Sequence, residues 1–144
     1  MDFRDLILGE DDGAMLEQCL GRFIQDTGVR IAILMGRDGH MLSRTGDSRE
    51  MDLESLCALS VGAYASSEAL ARLSGEENFN SIFHQGVRSN VYISQAGEGH
   101  LLLTLFDYNA SAPLVRLQAK VTAEAIVHIL DRAYNKTRAI RTHS

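Results

Sequence analysis

The sequence predicts one α+β domain in which a five-stranded antiparallel sheet is sandwiched between helices, in the chain order αββαβββα. The chain has 144 residues, of which 45% are hydrophobic and 23% charged, so it can form a self-sufficient core and differs from disordered chains. Residues 31–35 and 101–106 are apolar on both alternating faces, which is typical of strands covered on both sides. Segments with helical spacing stand before, between and after the predicted strands.

The first helix is expected to begin at Asp11 or Asp12, because either carboxylate can accept hydrogen bonds from the free N–H groups of a helix start. Gly28 is expected to end it. Residues 29–36 then read as a central strand. After a turn of sequence Arg-Asp-Gly-His, residues 40–45 are expected to return antiparallel to it.

A long second helix is predicted to begin after Asp52 and to run to Ser74. Residues 79–84, 87–95 and 101–107 follow as a meander of three strands, and Ser111 can cap the last helix. The strand at 79–84 is short and poorly patterned. We therefore expect it at an edge of the sheet, where its free backbone groups invite a partner strand.

The long helix carries two different faces at about 100° per residue. Its apolar stripe is expected to lie on the sheet. Cys57, Val61 and Tyr64 flank the stripe and could form the apolar margins of an interface. The stripe consists of Leu56, Leu59, Ala63, Leu70 and Leu73.

On another side of this helix, four small residues follow one another at spacings of 4, 3 and 4: Ala58, Gly62, Ala65 and Ala69. Exposed helix faces usually carry long charged side chains, and a glycine inside a helix costs about 1 kcal/mol relative to alanine. These residues therefore indicate a docking surface that a partner approaches closely. The alternative is that alanine is present for its helix propensity and that one glycine is tolerated.

Three segments are predicted along the chain. Residues 1–12 form an acidic N-terminal segment, residues 13–134 form the domain, and residues 135–144 form a basic C-terminal tail. The tail is expected to be solvated, although it could also contact an acidic partner.

Composition excludes several classes of protein. The net charge of −5, with only two lysines among 14 basic residues, argues against a nucleic-acid-binding module. No apolar run approaches the roughly 20 residues of a membrane span, and no secretory signal is evident. Cys19 and Cys57 are isolated, as in a reducing compartment. We therefore expect a cytoplasmic protein.

No motif for chemistry is evident. The phosphate-binding loop is absent, and Gly97-x-Gly99 lacks the third glycine of a dinucleotide site. The histidines have no metal-ligand spacing, and no pair of carboxylates is forced into one cleft. The histidines are His40, His84, His100, His128 and His143. Among the histidines, His84 is the strongest candidate for a chemical role, but a hydrogen-bonding role at a strand end explains this residue adequately. We expect no catalytic residue, metal or cofactor.

Several segments together carry a family resemblance. They are the run from Leu70 to Phe79, the sequence Phe83-His84-Gln85-Gly86, Tyr92, Phe106-Asp107 and Val115-Arg116-Leu117. With the order αββαβββα, this series resembles the Roadblock/dynein light chain superfamily, whose fold is profilin-like, and within it the bacterial MglB type. The likeness covers residues from about 13 to 134.

The resemblance implies a homodimer in which the third strands pair across a two-fold axis, with Phe79, Ile82 and Phe83 at the interface and the long helices side by side. It also implies binding to an MglA-type small Ras-like GTPase. Members of this type accelerate GTP hydrolysis without donating an arginine and direct gliding motility from the cell pole. The docking residues of the family match Ala65 and Ala69 here.

Two other functions stay open. A Roadblock adaptor would bind another Roadblock protein or a polarity factor and activate nothing. A small-molecule sensor of the PAS or GAF kind would need a cavity with convergent polar groups. In the sequence, Tyr64 and Glu68 depart from the MglB pattern, which often has small or apolar residues there.

Overall fold

The computed structural model describes residue 6 and residues 8–142. Within that part of the chain, three helices and five strands follow one another in the predicted order. The helices are α1 (Glu10–Thr27), α2 (Leu53–Leu73) and α3 (Ala112–Thr142). The strands are β1 (Ile31–Gly36), β2 (Met41–Gly46), β3 (Ser81–Gln85), β4 (Asn90–Gln95) and β5 (His100–Phe106). The predicted fold class is therefore confirmed.

The five strands form one antiparallel sheet with the spatial order β2-β1-β5-β4-β3. Every residue of β1 is buried, because the strand has neighbours on both edges and helices on both faces. β3 pairs with β4 alone among the described residues, with Phe83 opposite Tyr92. The prediction that this strand lies at an edge is confirmed.

Alternation along the strands supplies two cores. Ala32 and Leu34 of β1 belong to the core that the sheet forms with α1 and α3. Ile31, Ile33 and Met35 belong to the core beneath α2. The sheet is thus covered by two helices on one face and by α2 on the other, as the doubly apolar strands predict.

The start of α1 differs from the prediction. Gly9 is the N-cap and no side chain caps the helix, so the cap expected at Asp11 or Asp12 is wrong. The Asp12 side chain is only 1% exposed, and its Oδ1 lies 3.5 Å from Lys136 Nζ and 3.7 Å from Arg132 Nη2 of α3. This carboxylate is thus paired with cations of a helix that is distant in the chain. Rules for helix capping consider only local groups and do not predict such a pairing. The other end of α1 agrees with the prediction, because Gly28 has the left-handed φ of 76° that favours glycine.

α3 runs without a break across residue 134 as far as Thr142. The predicted basic tail is therefore helical at residues 135–142. Half of the residues predicted as the acidic N-terminal segment, residues 1–5 and 7, lie outside the described residues, as do His143 and Ser144.

Candidate functional site

Local hydrogen bonds determine where α2 begins and ends. The Asp52 carboxylate accepts from the Ser55 backbone N–H at 3.1 Å and from the Ser55 hydroxyl at 2.6 Å. These bonds stabilise the charged form and lower the pKa of Asp52. The backbone N–H of Ser74 donates to the Leu70 carbonyl at 3.1 Å and ends the helix. The predicted bounds of the long helix are confirmed to within a residue.

The face of α2 that lies on the sheet is not the predicted one. Its buried residues are Cys57, Ser60 and Tyr64. Leu56 is half-buried and packs against the core, but Leu59, Leu70 and Leu73 are 74%, 67% and 88% exposed. The predicted sheet-facing stripe is thus wrong for these three leucines, and Tyr64 lies in the core rather than at a margin.

The error has a physical cause. Leu59 lies roughly 140–160° around the helix from Tyr64 and Cys57, so α2 has two apolar faces. Periodicity detects both faces but does not tell which one the sheet covers. Tyr64 supplies the large ring that fills the space over the sheet, where its ring centroid lies 5.1 Å from that of Phe79.

The small residues lie on a third side of α2. Ala58, Gly62 and Ala65 are exposed and Ala69 is half-buried. A Cβ atom placed on Gly62 would meet no atom within 4 Å, and one placed on Gly39 of the β1–β2 turn would lie 3.8 Å from the Cα of Ala58. The small face is therefore open to solvent and is bordered near Ala58 by the β1–β2 turn.

An ion pair that the sequence analysis missed flanks this small face. The Arg37 guanidinium of the β1–β2 turn donates to both carboxylate oxygens of Glu68 at 3.2–3.4 Å. The same guanidinium lies 5.2 Å from the centroid of the Tyr64 ring, within range of a cation–π contact. Glu68 is the one acidic residue between Leu56 and Leu73. A lone carboxylate in a stretch of mostly small and apolar residues was the available signal.

The three residues predicted for a dimer interface lie in the edge strand or just before it. Phe79, Ile82 and Phe83 are half-buried within their own chain. Phe79 and Ile82 pack with the core beneath α2, whereas Phe83 packs with the core on the opposite face. Each therefore anchors the edge strand and leaves part of its side chain accessible.

The candidate residues for chemistry are dispersed in the fold. His40, His84 and His128 are exposed, whereas His100 is buried and burial lowers its pKa. Within the described residues, no three His, Cys, Asp or Glu side chains are grouped closely enough to hold a metal ion. None of the described helices is long and apolar enough to cross a membrane.

The chain is similar to known proteins in sequence and in fold. The Roadblock/LC7 domain model matches residues 15–106. The chain is similar to the structure of the gliding protein MglB from Thermus thermophilus, with 32% identity over 88% of this chain and 96% of that one and a TM-score of 0.82. A structure of MglB with a tetrameric arrangement gives 33% identity, 89% and 96% coverage, and a TM-score of 0.84. Myxococcus xanthus MglB is 27% identical over 89% of this chain and 96% of that one, with a TM-score of 0.81. No curated protein sequence matches.

Proposed function

The chain belongs to the Roadblock/LC7 family and is of its MglB type, and from that premise we propose that it regulates a small Ras-like GTPase of the MglA type. It acts as a homodimer that raises GTP hydrolysis by the GTPase and has no active site of its own. Its place is the cytoplasm, at a cell pole, where it takes part in cell polarity and gliding motility.

The observation that carries the proposal is the small face of α2. Ala58, Gly62, Ala65 and Ala69 lie outside both cores, and Gly62 has open space where its Cβ would stand. Folding alone does not require a glycine there, because alanine would favour the helix by about 1 kcal/mol. The small residues are explained if they form a flat surface that another backbone approaches closely.

The homodimer accounts for two further exposed features. β3 leaves its outer backbone groups unpaired by the described part of the chain, and Leu59, Leu70 and Leu73 expose most of their surface. Burial of a leucine side chain contributes about 1.5–3 kcal/mol. In the proposed dimer the two β3 strands pair across a two-fold axis, and the exposed leucine faces of the two α2 helices pack against each other.

Hydrolysis can be raised without a donated side chain. The dimer must bind the hydrolysis-competent conformation of the GTPase more tightly than its other conformations, because a ligand with equal affinity for two states shifts neither. Arg37 is held by Glu68 at the edge of the small face. It is therefore assigned to the docking surface and not to the reaction.

Single-turnover GTP hydrolysis by the cognate MglA-type GTPase, with and without this chain, tests the activity. We expect faster hydrolysis with the wild-type chain. Ala65→Arg should weaken binding more than about 30-fold, since a guanidinium holds the two surfaces apart at the centre of the contact. Ala14→Arg, on an exposed position of α1, is the matched control and should bind normally.

Light scattering on Ala65→Arg and on a further variant, Leu70→Lys, separates docking from assembly. Ala65→Arg should remain a dimer, whereas Leu70→Lys should yield monomers because it places a charge on the leucine face. Tight binding without acceleration would replace the activator with the Roadblock adaptor. Unchanged affinity in Ala65→Arg would place the docking surface elsewhere, and a monomeric wild-type chain would overturn the dimer.

A further inference from the structure

A cavity of about 430 Å³ lies between α3 and the sheet, on the face opposite α2. Small-molecule pockets occupy roughly 300–1,000 Å³, so the volume suits a compact ligand. Small residues create it: Ala119 and Ala123 are the buried α3 residues that line it, and Gly97 lines it from the β4–β5 turn. Further along α3 the larger Ile126 and Leu130 fill the core instead.

Two cations from the earlier part of α3 line this cavity. The Arg116 guanidinium lies 4.9 Å from the centroid of the Phe83 ring and 5.7 Å from that of Tyr92, which orients it. Lys120 follows one helical turn later and also lines the cavity. Among the described residues, neither cation has a carboxylate within ion-pair distance, whereas Arg22, Arg37, Arg49, Arg132 and Lys136 each have one.

The sheet side of the cavity carries an unsatisfied hydroxyl. Ser94 of β4 lines the cavity and is 7% exposed, and its Oγ has no hydrogen-bond partner among the described residues. Buried polar groups are almost always hydrogen-bonded. A bound molecule with a polar atom at this position would satisfy the Ser94 hydroxyl.

Glu124 and His128 also line the cavity, from a later part of α3 than Arg116 and Lys120. Glu124 lies one turn beyond Lys120, about 6 Å along the helix axis. Its carboxylate repels a second anionic group and favours a hydrogen-bond donor. The cavity therefore has a cationic end and an acceptor end about one helical turn apart.

From this arrangement we propose that the cavity binds a small organic acid, with its anionic group between Arg116 and Lys120 and a hydroxyl or amino group directed to Glu124. The Ser94 hydroxyl donates a hydrogen bond to the same anionic group. The site lies across the sheet from the small face of α2, so it is distinct from the proposed GTPase surface and does not depend on it.

The test uses 4-hydroxybenzoate, whose carboxylate and hydroxyl are separated by a ring of suitable length, and the uncharged 4-hydroxybenzamide. Both are titrated into the full-length protein while backbone amide shifts are recorded by NMR. We expect 4-hydroxybenzoate to shift the amides of residues 92–97 and 116–128. The amide analogue should bind about tenfold more weakly, because it lacks the charge that strengthens hydrogen bonds to Arg116 and Lys120.

Variants separate a built site from general attraction of anions. Lys120→Gln should weaken 4-hydroxybenzoate binding about tenfold, whereas Arg72→Gln, an exposed cation on α2, should not. Ala123→Met should abolish binding by filling the cavity, with the thermal midpoint unchanged within about 3 °C. The proposal is overturned if neither probe shifts the lining amides at about 10 mM, if both probes bind equally, or if Arg72→Gln has the effect expected of Lys120→Gln.

Discussion

Replacing Tyr64 with phenylalanine should stabilise the protein, which is the opposite of the usual effect of a core substitution. The Tyr64 side chain is 1% exposed, and its hydroxyl has no hydrogen-bond partner among the described residues. A buried polar group left unpaired costs about 1–3 kcal/mol. Phenylalanine removes that cost and keeps the ring between α2 and the sheet.

The free-energy terms that oppose this stabilisation are small. A void of roughly 10 Å³ in place of the oxygen costs about 0.2 kcal/mol at about 24 cal/mol per Å³. The ring contacts with Phe79 and Arg37 remain available to phenylalanine. We therefore expect a gain of about 1 kcal/mol, or a thermal midpoint about 4 °C higher.

Urea denaturation at one fixed protein concentration measures this gain, because self-association would make the midpoint depend on concentration. Tyr108→Phe is the matched control. The Tyr108 hydroxyl donates to the Gly86 carbonyl, so its loss should lower stability by about 0.5–1 kcal/mol. A loss of 1 kcal/mol or more in Tyr64→Phe would show that the hydroxyl has a partner and would refute the reasoning.

The same residue gives a pH dependence. Burial raises the pKa of Tyr64 above its ordinary value of 10.0. A raised pKa in the folded state contributes stability that is complete below pH 10 and is lost as the pH rises through the folded pKa. Tyr64→Phe should remove this part of the alkaline loss of stability, and an unchanged alkaline slope would argue against the burial of the phenol.

Further predictions concern other parts of the fold. Burial lowers the pKa of His100 from 6.5. The neutral His100 therefore contributes stability that is complete above that pH and is lost as the pH falls through the lower folded pKa. His100→Asn should flatten the decline of the urea midpoint between about pH 7 and 5. Gly46 has a φ of 112° and its added Cβ would overlap a backbone carbonyl before β1, so Gly46→Ala should cost about 3 kcal/mol or more in thermal denaturation. Gly21→Ala, with open space inside α1, should gain about 1 kcal/mol; equal effects would contradict the argument. Glu68→Gln should lose about 1 kcal/mol by breaking the pair with Arg37, and less at about 1 M salt; a loss independent of salt would assign Glu68 to packing.

The small face of α2 was predictable because its composition is unusual whatever the helix packs against. Gly62 within an alanine-rich helix departs from the charged surface typical of exposed helices, and the structure places Ala58, Gly62 and Ala65 on the outside. The cavity beneath α3 was not predictable. Arg116, Lys120 and Ser94 stand on different elements, and only the packing of α3 over β4 brings them together.

The sequence by itself determined the order of elements, the buried central strands and the edge position of β3. Each of these follows from local periodicity, turn residues and the pattern of burial along one segment. The tertiary structure alone decided which apolar face of α2 meets the sheet, which cations pair with Asp12 and that Arg37 reaches Glu68. These features depend on the rotation of a helix about its axis and on contacts between groups far apart in the chain. The spacing of residues within one element contains no information about either.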